Sequence, residues 1–328
     1  GGICDVPGVG VGHASADEAL TGCTVLLFDQ GAVAGVDVRG AAPGTRETDL
    51  LRPEMMMPRI DGILLAGGSA YGLDAATGVM RWLEEHGRGF EAGPYRVPIV
   101  PGAVIYDLEL GDGGRRPDAA MGYEAAAAAA ESWHREAALA EGNVGAGTGA
   151  SVGKILGMHA ATKSGLGTAS TRLDNGVTIG ALAVVNAFGE VHEPTGDAVL
   201  AGARNPLTGR FVDTLELMRS VREMGNQVGH NTTLVVVATD AGLTKAEAGK
   251  LAAMAHDALA RCIVPVHTMY DGDTAFAVST GRQQAPLSVL GAVAVRVVEE
   301  AIVRAVMAAA PAGGLPSAHS SRGSDVDG

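Results

Sequence analysis

The chain has 328 residues and a formal net charge of -13 at pH 7, and it lacks the clustered Lys and Arg of a phosphate-binding surface, which argues against a nucleic-acid partner. Hydrophobic residues make up 47%, yet no apolar run approaches the roughly 18 residues of a membrane span, which argues against a membrane partner. Three scattered cysteines argue against a complete disulfide framework, and no basic stretch followed by an apolar one marks a secretory signal. We therefore expect a cytoplasmic globular protein that acts on a small molecule.

The first third of the chain predicts strands separated by glycine-rich turns. Apolar runs at Cys23–Phe28 and Ala32–Val38 predict the two strands of a β-hairpin around Asp29-Gln30-Gly31. Ile60–Leu65 predicts a strand that leads through a glycine-rich turn into a helix over Leu73–His86. Because this turn lacks the P-loop Gly-Lys-Ser/Thr and the complete dinucleotide fingerprint, we interpret it as close backbone packing beside a pocket.

The next segments predict one strand, one helix and a second glycine cluster. Val97–Leu108 predicts the strand, and Pro117–Ala138 predicts an alanine-rich helix with proline in its first turn. The cluster Gly142–Gly153 is followed by Lys154. A flexible linker is the simplest interpretation, but a spacer more often carries Ser, Pro and further charge, which argues against it.

The strongest short turn signal of the chain is Asp174-Asn175-Gly176. It predicts a hairpin between Leu166–Leu173 and Val177–Val185, with Asn186 at the end of the second strand. The apolar period then weakens, and the sequence predicts only a short helix near Asp213–Arg222. We expect a surface excursion here, before the chain returns to the core.

The last third predicts two strands and two helices. A run of β-forming residues from Leu234 predicts a buried strand, and a capping box opens an amphipathic helix over Thr244–Ala260. Ala275–Thr280 predicts a further strand and Leu287–Ala310 a long apolar helix. Residues 311–328 are rich in Gly, Ser and Pro and are predicted to be a disordered tail.

In the sequence Asn231-Thr232-Thr233, Thr232 is predicted to occupy the first position of the buried strand. An interior threonine hydroxyl is a poor nucleophile, whereas a threonine that begins a chain carries its own base, because an α-amino group titrates near about 8. Thr232 is therefore a candidate N-terminal nucleophile, provided that its hydroxyl first breaks the Asn231–Thr232 bond. An ordinary entry from loop to strand explains the same residues without catalysis, because Thr favours strands and Asn favours turns.

Four motifs lie in order along the chain between about Val6 and Ala310. They are Gly44-Thr45-Arg46-Glu47-Thr48-Asp49, Leu65-Ala66-Gly67-Gly68-Ser69-Ala70-Tyr71-Gly72-Leu73, Asn231-Thr232-Thr233 and His267-Thr268-Met269-Tyr270-Asp271-Gly272-Asp273-Thr274. With these motifs the chain resembles the family of self-cleaving aminopeptidase/D-esterase hydrolases, which includes β-peptidyl aminopeptidases and nylon-oligomer hydrolases. Its threonine at the cleavage site and its Asp-Gly-Asp sequence are most similar to the nylon-oligomer hydrolases.

The resemblance implies both a fold and a site. The implied fold is a four-layer α-β-β-α sandwich, formed by a single hydrolase domain over residues 1–310. The implied self-cleavage between Asn231 and Thr232 divides the chain into 1–231 and 232–328. The implied catalytic residues are Thr232, Asn186, Lys154, Asp271 and Asp273, and the implied substrate-binding residues are Tyr106, Gly68, Ser69 and Tyr71.

Each implied role has a simpler alternative. Asn186 is implied as the oxyanion donor, and an amide or ammonium near the scissile carbonyl stabilises developing negative charge. Asp271 and Asp273 are implied to orient the Thr232 hydroxyl and amine, whereas an Asp-Gly-Asp sequence otherwise favours a turn with solvated carboxylates. Lys154 is alternatively an exposed cation, and Tyr106 a phenol at the edge of the core. His256 and His267 lack partners at metal-ligand spacing, so we expect no metal and no other cofactor.

The resemblance implies hydrolysis of linear amides, either short peptides or 6-aminohexanoate oligomers, by a homotetramer or similar assembly. Aminopeptidase members hold the free amine of the substrate with a glutamate in the stretch that corresponds to Val97–Tyr106, and no Glu occurs there. This departure weakens strict aminopeptidase activity and leaves endo-type or ω-amino amide hydrolysis open. The alternatives are an aminopeptidase or D-amino-acid esterase-amidase of the same family, acyl transfer of the ornithine-acetyltransferase type, and an uncleaved binding protein on the same scaffold.

Overall fold

A computed structural model describes residues 1–133, 138–196, 198–220 and 231–321. Its α-helices are α1 (Ala75–Glu85), α2 (Ala119–Ser132), α3 (Thr214–Ser220), α4 (Lys245–Cys262) and α5 (Leu287–Met307). Its strands are β1 (Val9–Ala16), β2 (Thr21–Val38), β3 (Thr45–Arg46), β4 (Ile60–Ala66), β5 (Phe90–Ala92), β6 (Tyr95–Val97), β7 (Gly102–Val104), β8 (Ser151–Val152), β9 (Thr162–Lys163), β10 (Leu166–Arg172), β11 (Thr178–Asn186), β12 (Glu190–His192), β13 (Val199–Ala201), β14 (Thr232–Ala241), β15 (Ile263–Val264) and β16 (Thr274–Gln283). None of the described helices is long and apolar enough to span a bilayer.

The helices and the large sheets stack in four layers. Strands β10, β11, β14 and β16 form one sheet, and β1, β4, β7 and β3 form another, with β2 shared between the two. One core lies between the sheets. A second core lies beneath α4 and α5, and a third lies beneath α1 and α2. The predicted four-layer α-β-β-α sandwich is therefore confirmed.

Strand β14 lies in the middle of its sheet and contributes to two cores. Leu234 and Val236 face the core between the sheets, whereas Val235 and Val237 face the core beneath the helices. All residues of this strand are buried, as expected for a strand that is covered on both faces. The predicted strand is confirmed, with Thr232 at its first position.

The predicted hairpin within Cys23–Val38 is wrong. Both apolar runs belong to β2, a single strand of 18 residues that pairs with β4 up to Leu27 and again at Ala32. The register shifts between these two pairs, and Gly31 there has a φ of 67°. The residues that suggested a turn therefore form an irregularity within a continuous strand, which lets β2 serve both sheets.

Most other predicted elements are confirmed with small changes in their bounds. The Asp-Asn-Gly hairpin joins β10 to β11, where Arg172 pairs with Thr178. The capping box of Thr244 and Glu247 begins α4. The helix predicted from Leu73 begins as a 3₁₀ turn and becomes α-helical at Ala75.

Three predictions are corrected or only partly covered by the described residues. The strand predicted over Val97–Leu108 is reduced to its start and to β7, because Pro98 and Pro101 lack the N–H that a ladder needs. The C-terminal ends of two predicted helices, at Ala138 and at Arg222, cannot be compared in full. Residues 134–137 and 221–230 lie outside the described residues.

The segment after α5 is ordered up to residue 321, so the predicted disorder from residue 311 is wrong for this part. Ala312 and Leu315 form a β-bridge, and Leu315 is buried against Leu110 and Ala161. The backbone oxygen of Pro316 accepts a hydrogen bond of 2.8 Å from the N–H of Lys163. Two apolar contacts and a backbone hydrogen bond thus order the segment despite its polar composition. Residues 322–328 lie outside the described residues.

Helix α2 packs directly on β1 because glycines leave no side chain between them. A Cβ atom on Gly12 would lie 2.2 Å from the carbonyl oxygen of Ala125 and 2.3 Å from the backbone nitrogen of Ala129. Contacts this short are far inside the packing distance of real atoms, so any side chain at Gly12 would push the helix away from the sheet.

Replacing Gly12 by Ala is expected to lower the free energy of unfolding by about 1–3 kcal/mol, because the added methyl group overpacks this contact. The control is Gly249→Ala in α4, where no atom lies within 4 Å of a new Cβ. Alanine there should stabilise by up to about 1 kcal/mol through helix propensity. Urea unfolding followed by circular dichroism measures both variants. A Gly12→Ala protein as stable as the wild type would contradict the packing described.

Candidate active site

Thr232 lies where two neighbouring strands begin and end. It opens β14 directly opposite Asn186, the last residue of β11. Thr232 is 3% exposed and Asn186 is fully buried. The antiparallel pairing therefore places the Asn186 amide beside the predicted nucleophile.

The carbonyl oxygen of Asn231 has two hydrogen-bond donors. The hydroxyl of Thr232 donates one bond, and the backbone N–H of Gly272 donates the other at 2.9 Å. A Cβ atom on Gly272 would lie 2.7 Å from Oγ1 of Thr232, so a side chain here would press on the hydroxyl. The Thr232 hydroxyl thus lies against the peptide bond that precedes it, and a backbone donor binds the oxygen of that bond.

Asp273 binds the backbone next to Thr232. One of its carboxylate oxygens accepts a bond of 2.7 Å from the N–H of Thr233. The other accepts from the ring and from the backbone N–H of His267. Asp273 is 1% exposed, so the alternative of a solvated turn is wrong. Asp273 thus binds the backbone of Thr233, whereas the hydroxyl of Thr232 donates to the carbonyl oxygen of Asn231.

Asp271 is held by a different set of donors. It accepts 2.9 Å and 2.6 Å bonds from the N–H and the hydroxyl of Thr268, and a longer one of 3.4 Å from the N–H of Phe188. Burial raises the pKa of Asp271 to about 6, and the negative charge of Asp273 acts in the same direction, while the Thr268 bonds oppose both. The two aspartates are therefore close enough to influence each other, although they hold different parts of the loop.

Asn186 is fixed by Lys154 and by two backbone groups. Its Oδ1 atom accepts bonds of 2.7 Å from Lys154 Nζ and 3.1 Å from the N–H of Ser151. Its Nδ2 atom donates a bond of 3.1 Å to the carbonyl oxygen of Tyr106. Lys154 is 4% exposed, so the alternative of an exposed cation is wrong. The structure thus places Asn186 beside Thr232, Lys154 and the backbone of Tyr106, and the catalytic and binding roles of these residues stay predictions.

The model of peptidase family S58 matches residues 1–319. The chain belongs to this family. It is 43% identical to a protein named uncharacterized aminopeptidase from Mycobacterium tuberculosis, with 96% of each chain covered. It is 32% identical to a 6-aminohexanoate-oligomer endohydrolase from Agromyces sp., with 92% of this chain and 84% of that one covered. The chain is therefore a hydrolase that acts on amide bonds, and the resemblance given by its four motifs is confirmed.

Solved structures of other peptidases agree with this assignment. A β-aminopeptidase from Burkholderia sp. superposes with a TM-score of 0.65 at 26% identity, over 96% of this chain and 90% of that one. An L-aminopeptidase D-Ala-esterase/amidase from Ochrobactrum anthropi, described as a variant of the Ntn hydrolase fold, gives a TM-score of 0.67 at 23% identity, over 94% of this chain and 86% of that one. The second likeness shows the fold only. This S58 chain therefore shares the fold of that structure.

Lys154 is a buried cation of the S58 site, with 4% of its surface exposed. Burial lowers the pKa of its ammonium from 10.5 to about 7, and the nearby charge of Lys163 acts in the same direction. The carboxylates of Asp271, Glu109 and Asp107 oppose this change. The proton affinity of Lys154 thus depends on the balance between desolvation and three acidic groups.

Two further buried charged residues, Asp107 and Lys163, influence Lys154 electrostatically. Asp107 accepts bonds of 2.7 Å from the Thr21 hydroxyl and 2.7 Å from the N–H of Gly68, and burial raises its pKa. Burial lowers the pKa of Lys163 to about 7, and the charge of Asp107 opposes this change. Lys163 Nζ donates to the carbonyl oxygen of Ala150 at 2.9 Å. The cluster Gly142–Gly153 is therefore held by a hydrogen bond from buried Lys163. Its interpretation as a flexible linker is wrong.

The predicted substrate-binding residues on the glycine-rich turn fall into two groups. Gly68 donates to Asp107, and the N–H of Ser69 donates to the carbonyl oxygen of Ile105 at 2.9 Å. Both residues therefore lie beside the segment that carries Tyr106. Tyr71 is 60% exposed, with the Arg116 guanidinium 3.9 Å from the centre of its ring. Contact of these residues with substrate stays a prediction.

Sequence reasoning missed several residues that shape the site. Gly272 and His267 lie within one of the four motifs, but sequence spacing bears on His267 only as a possible metal ligand and gives Gly272 no role. Asp107 and Lys163 have no spacing signal, because tertiary packing alone brings them together. Among the residues that the structure describes, no group of three or more His, Cys, Asp or Glu could hold a metal ion.

Replacing Asp271 by Asn should lower the pKa of Lys154 further, because it removes a negative charge that favours the ammonium. The pH titration of the Lys154 side chain, followed by NMR in carbon-13-lysine-labelled protein, measures this change. Glu300→Gln is the control, since Glu300 pairs with Arg304 on the outer face of α5, at 3.1 Å. It should leave the titration unchanged. A Lys154 midpoint that stays constant or rises in Asp271→Asn would contradict the proposed coupling.

Proposed function

We propose that the chain is an N-terminal threonine amidohydrolase that matures by cutting its own Asn231–Thr232 bond. The observation that carries this proposal is the contact of the Thr232 hydroxyl with the Asn231 carbonyl oxygen, which the N–H of Gly272 also binds. A nucleophile beside a carbonyl whose oxygen already has a donor is the arrangement that acyl transfer needs. Membership of a peptidase family supports the same reaction class.

Maturation is proposed to begin with an intramolecular acyl shift. Oγ1 of Thr232 attacks the carbonyl carbon of Asn231, the new C–O bond replaces the peptide C–N bond, and the hydroxyl proton passes to the Thr232 nitrogen. Negative charge develops on the Asn231 oxygen, where Gly272 donates, and one such donor contributes about 3 kcal/mol in other hydrolases. Water then hydrolyses the ester, which leaves a carboxylate on Asn231 and a free amine on Thr232.

The mature enzyme is proposed to use this amine as its base. The amine accepts the Thr232 hydroxyl proton while Oγ1 attacks the substrate amide, and it then protonates the leaving amine. Water hydrolyses the resulting acyl-enzyme. Asn186 is proposed as the oxyanion donor, with Lys154 bound to its Oδ1 at 2.7 Å and so polarising the amide toward the substrate oxygen.

Linear amides are the proposed substrates, either short peptides or 6-aminohexanoate oligomers. Relatives named aminopeptidase and 6-aminohexanoate-oligomer endohydrolase support both classes. The absence of Glu from Val97–Tyr106 favours substrates that do not need a clamp on a free α-amine. The homotetramer and the cytoplasmic location stay predictions.

Purified protein is expected to contain chains of 231 and 97 residues, which correspond to about 23 and about 10 kDa of the 33.0 kDa total. Thr232→Ala should remain one chain and be inactive on linear amides, because it lacks the attacking hydroxyl. Intact mass spectrometry with N-terminal sequencing of the smaller fragment measures this. Cleavage of Thr232→Ala at the same bond would exclude Thr232 as the nucleophile of maturation.

Gly272→Ala should slow self-cleavage by about 100-fold or more, the loss found when an oxyanion donor is removed. The new Cβ would lie 2.7 Å from Thr232 Oγ1 and 2.7 Å from the carbonyl oxygen of Ala42, so the donor and the hydroxyl cannot both keep their places. Gly249→Ala, where the space is open, should mature at the wild-type rate. The half-time of cleavage after cell-free synthesis measures both. Equal half-times in the two variants would rule out this role for Gly272.

A further inference from the structure

Asp273 receives two hydrogen bonds from one residue. Its Oδ2 atom accepts from the His267 ring nitrogen Nδ1 at 2.8 Å and from the His267 backbone N–H at 3.2 Å. Its Oδ1 atom accepts from the N–H of Thr233 at 2.7 Å. Because the carboxylate is buried, these bonds fix its position. His267 therefore holds one end of a carboxylate whose other end binds the residue next to Thr232.

His267 adopts a backbone conformation that most residues avoid. Its φ is 55°, in the left-handed region where a residue other than glycine costs roughly 1–2 kcal/mol. In this conformation its N–H and its ring reach the same oxygen of Asp273. Strain that persists beside a candidate site points to a constraint imposed by function.

A second imidazole lies behind the ring of His267. The rings of His267 and His256 meet edge to face, with their centres 4.8 Å apart. His256 Nε2 lies 3.0 Å from the backbone oxygen of Asp37 and 3.3 Å from its carboxylate, which Arg39 binds at 2.8 Å, and burial lowers the pKa of His256. His267 Nε2 has no hydrogen-bond partner among the described residues. The bond from Nδ1 to Asp273 is thus the polar contact that orients this ring.

We propose that His267 is the positioning residue of Asp273 and, through Thr233, of the Thr232 nucleophile. This inference rests on the proposed function. The ring donates through its Nδ1–H to Oδ2 of Asp273, which leaves Oδ1 directed at the backbone of the strand that Thr232 begins. After cleavage this arrangement keeps a carboxylate beside the new amine, where it orients the base. His267 itself touches neither the substrate nor the reacting atoms.

Three substitutions separate the ring donor from the backbone conformation. His267→Asn keeps a side-chain N–H near the place of Nδ1, and Asn tolerates the left-handed region. His267→Gly keeps the conformation without strain and removes the donor. His267→Leu removes the donor and disfavours the conformation. The half-time of self-cleavage, kcat and KM on a linear amide, and the melting temperature are measured for each variant.

His267→Gly is expected to lower kcat by about 10- to 100-fold with KM unchanged, because a displaced positioning group costs turnover and not binding. His267→Asn should recover most of the lost kcat, and His267→Leu should be at least as slow as His267→Gly. The melting temperature of His267→Gly should lie below that of His267→Asn, since only Asn keeps a side-chain donor for the buried Asp273 carboxylate. Where a variant matures too slowly for turnover to be measured, the cleavage half-times carry the same comparison.

A His267→Gly enzyme with wild-type kcat would overturn the proposal, and so would a His267→Asn enzyme as slow as His267→Gly. Thr232→Ala is measured beside them. Cleavage or activity in Thr232→Ala would show that the proposed function fails, whatever the His267 variants do. An inert Thr232→Ala together with a fully active His267→Gly would overturn only the role of His267.

Discussion

The pairing of β14 between β11 and β16 is the constraint on which the candidate site depends. Its register sets Thr232 opposite Asn186 on one side and Leu234 opposite Thr274 on the other. Because side chains alternate along a strand, a shift by one residue would move each side chain of β14 from one core into the other. Burial on both faces therefore fixes the register, and the register fixes which groups meet at Thr232.

Buried charges make the site costly to fold. Burial lowers the pKa of Lys154 to about 7 and raises that of Asp271 to about 6, and it moves Lys163 and Asp107 in the same two directions. Each group is thus pushed toward its neutral form, and only hydrogen bonds and mutual attraction offset the loss of hydration. pKa values shifted toward neutral pH, as those of Lys154, Lys163 and Asp271 are, are typical of sites that perform acid-base chemistry. The loss of hydration of these charged groups is thus concentrated at the site where the reaction is proposed.

Sequence patterns predict correctly those elements whose local pattern is compatible with only one local structure. The turn at Asn175 and the capping box at Thr244 are determined by neighbouring residues, and both were correct. Asp29-Gln30-Gly31 predicts a hairpin wrongly because residues that close a hairpin also fit a bulge, and only the pairing with β4 decides between them. Motif resemblance supplied Thr232, but no spacing encodes the contact between Asp273 and His267, whose strained backbone only the fold reveals.

Cleavage at the proposed bond would leave the central sheet built from two chains. Strands β14 and β16 would belong to the smaller chain, whereas β11 and β2, which pair with them, would belong to the larger. Separation would expose both faces of β14, and the cost of roughly 25 cal/mol per Å² of apolar surface would keep the chains together. Thr232 would therefore stay opposite Asn186. Once the severed carbonyl leaves, the N–H of Gly272 loses its acceptor, so the donor that served the chain's own peptide bond can next bind the oxygen of a substrate amide.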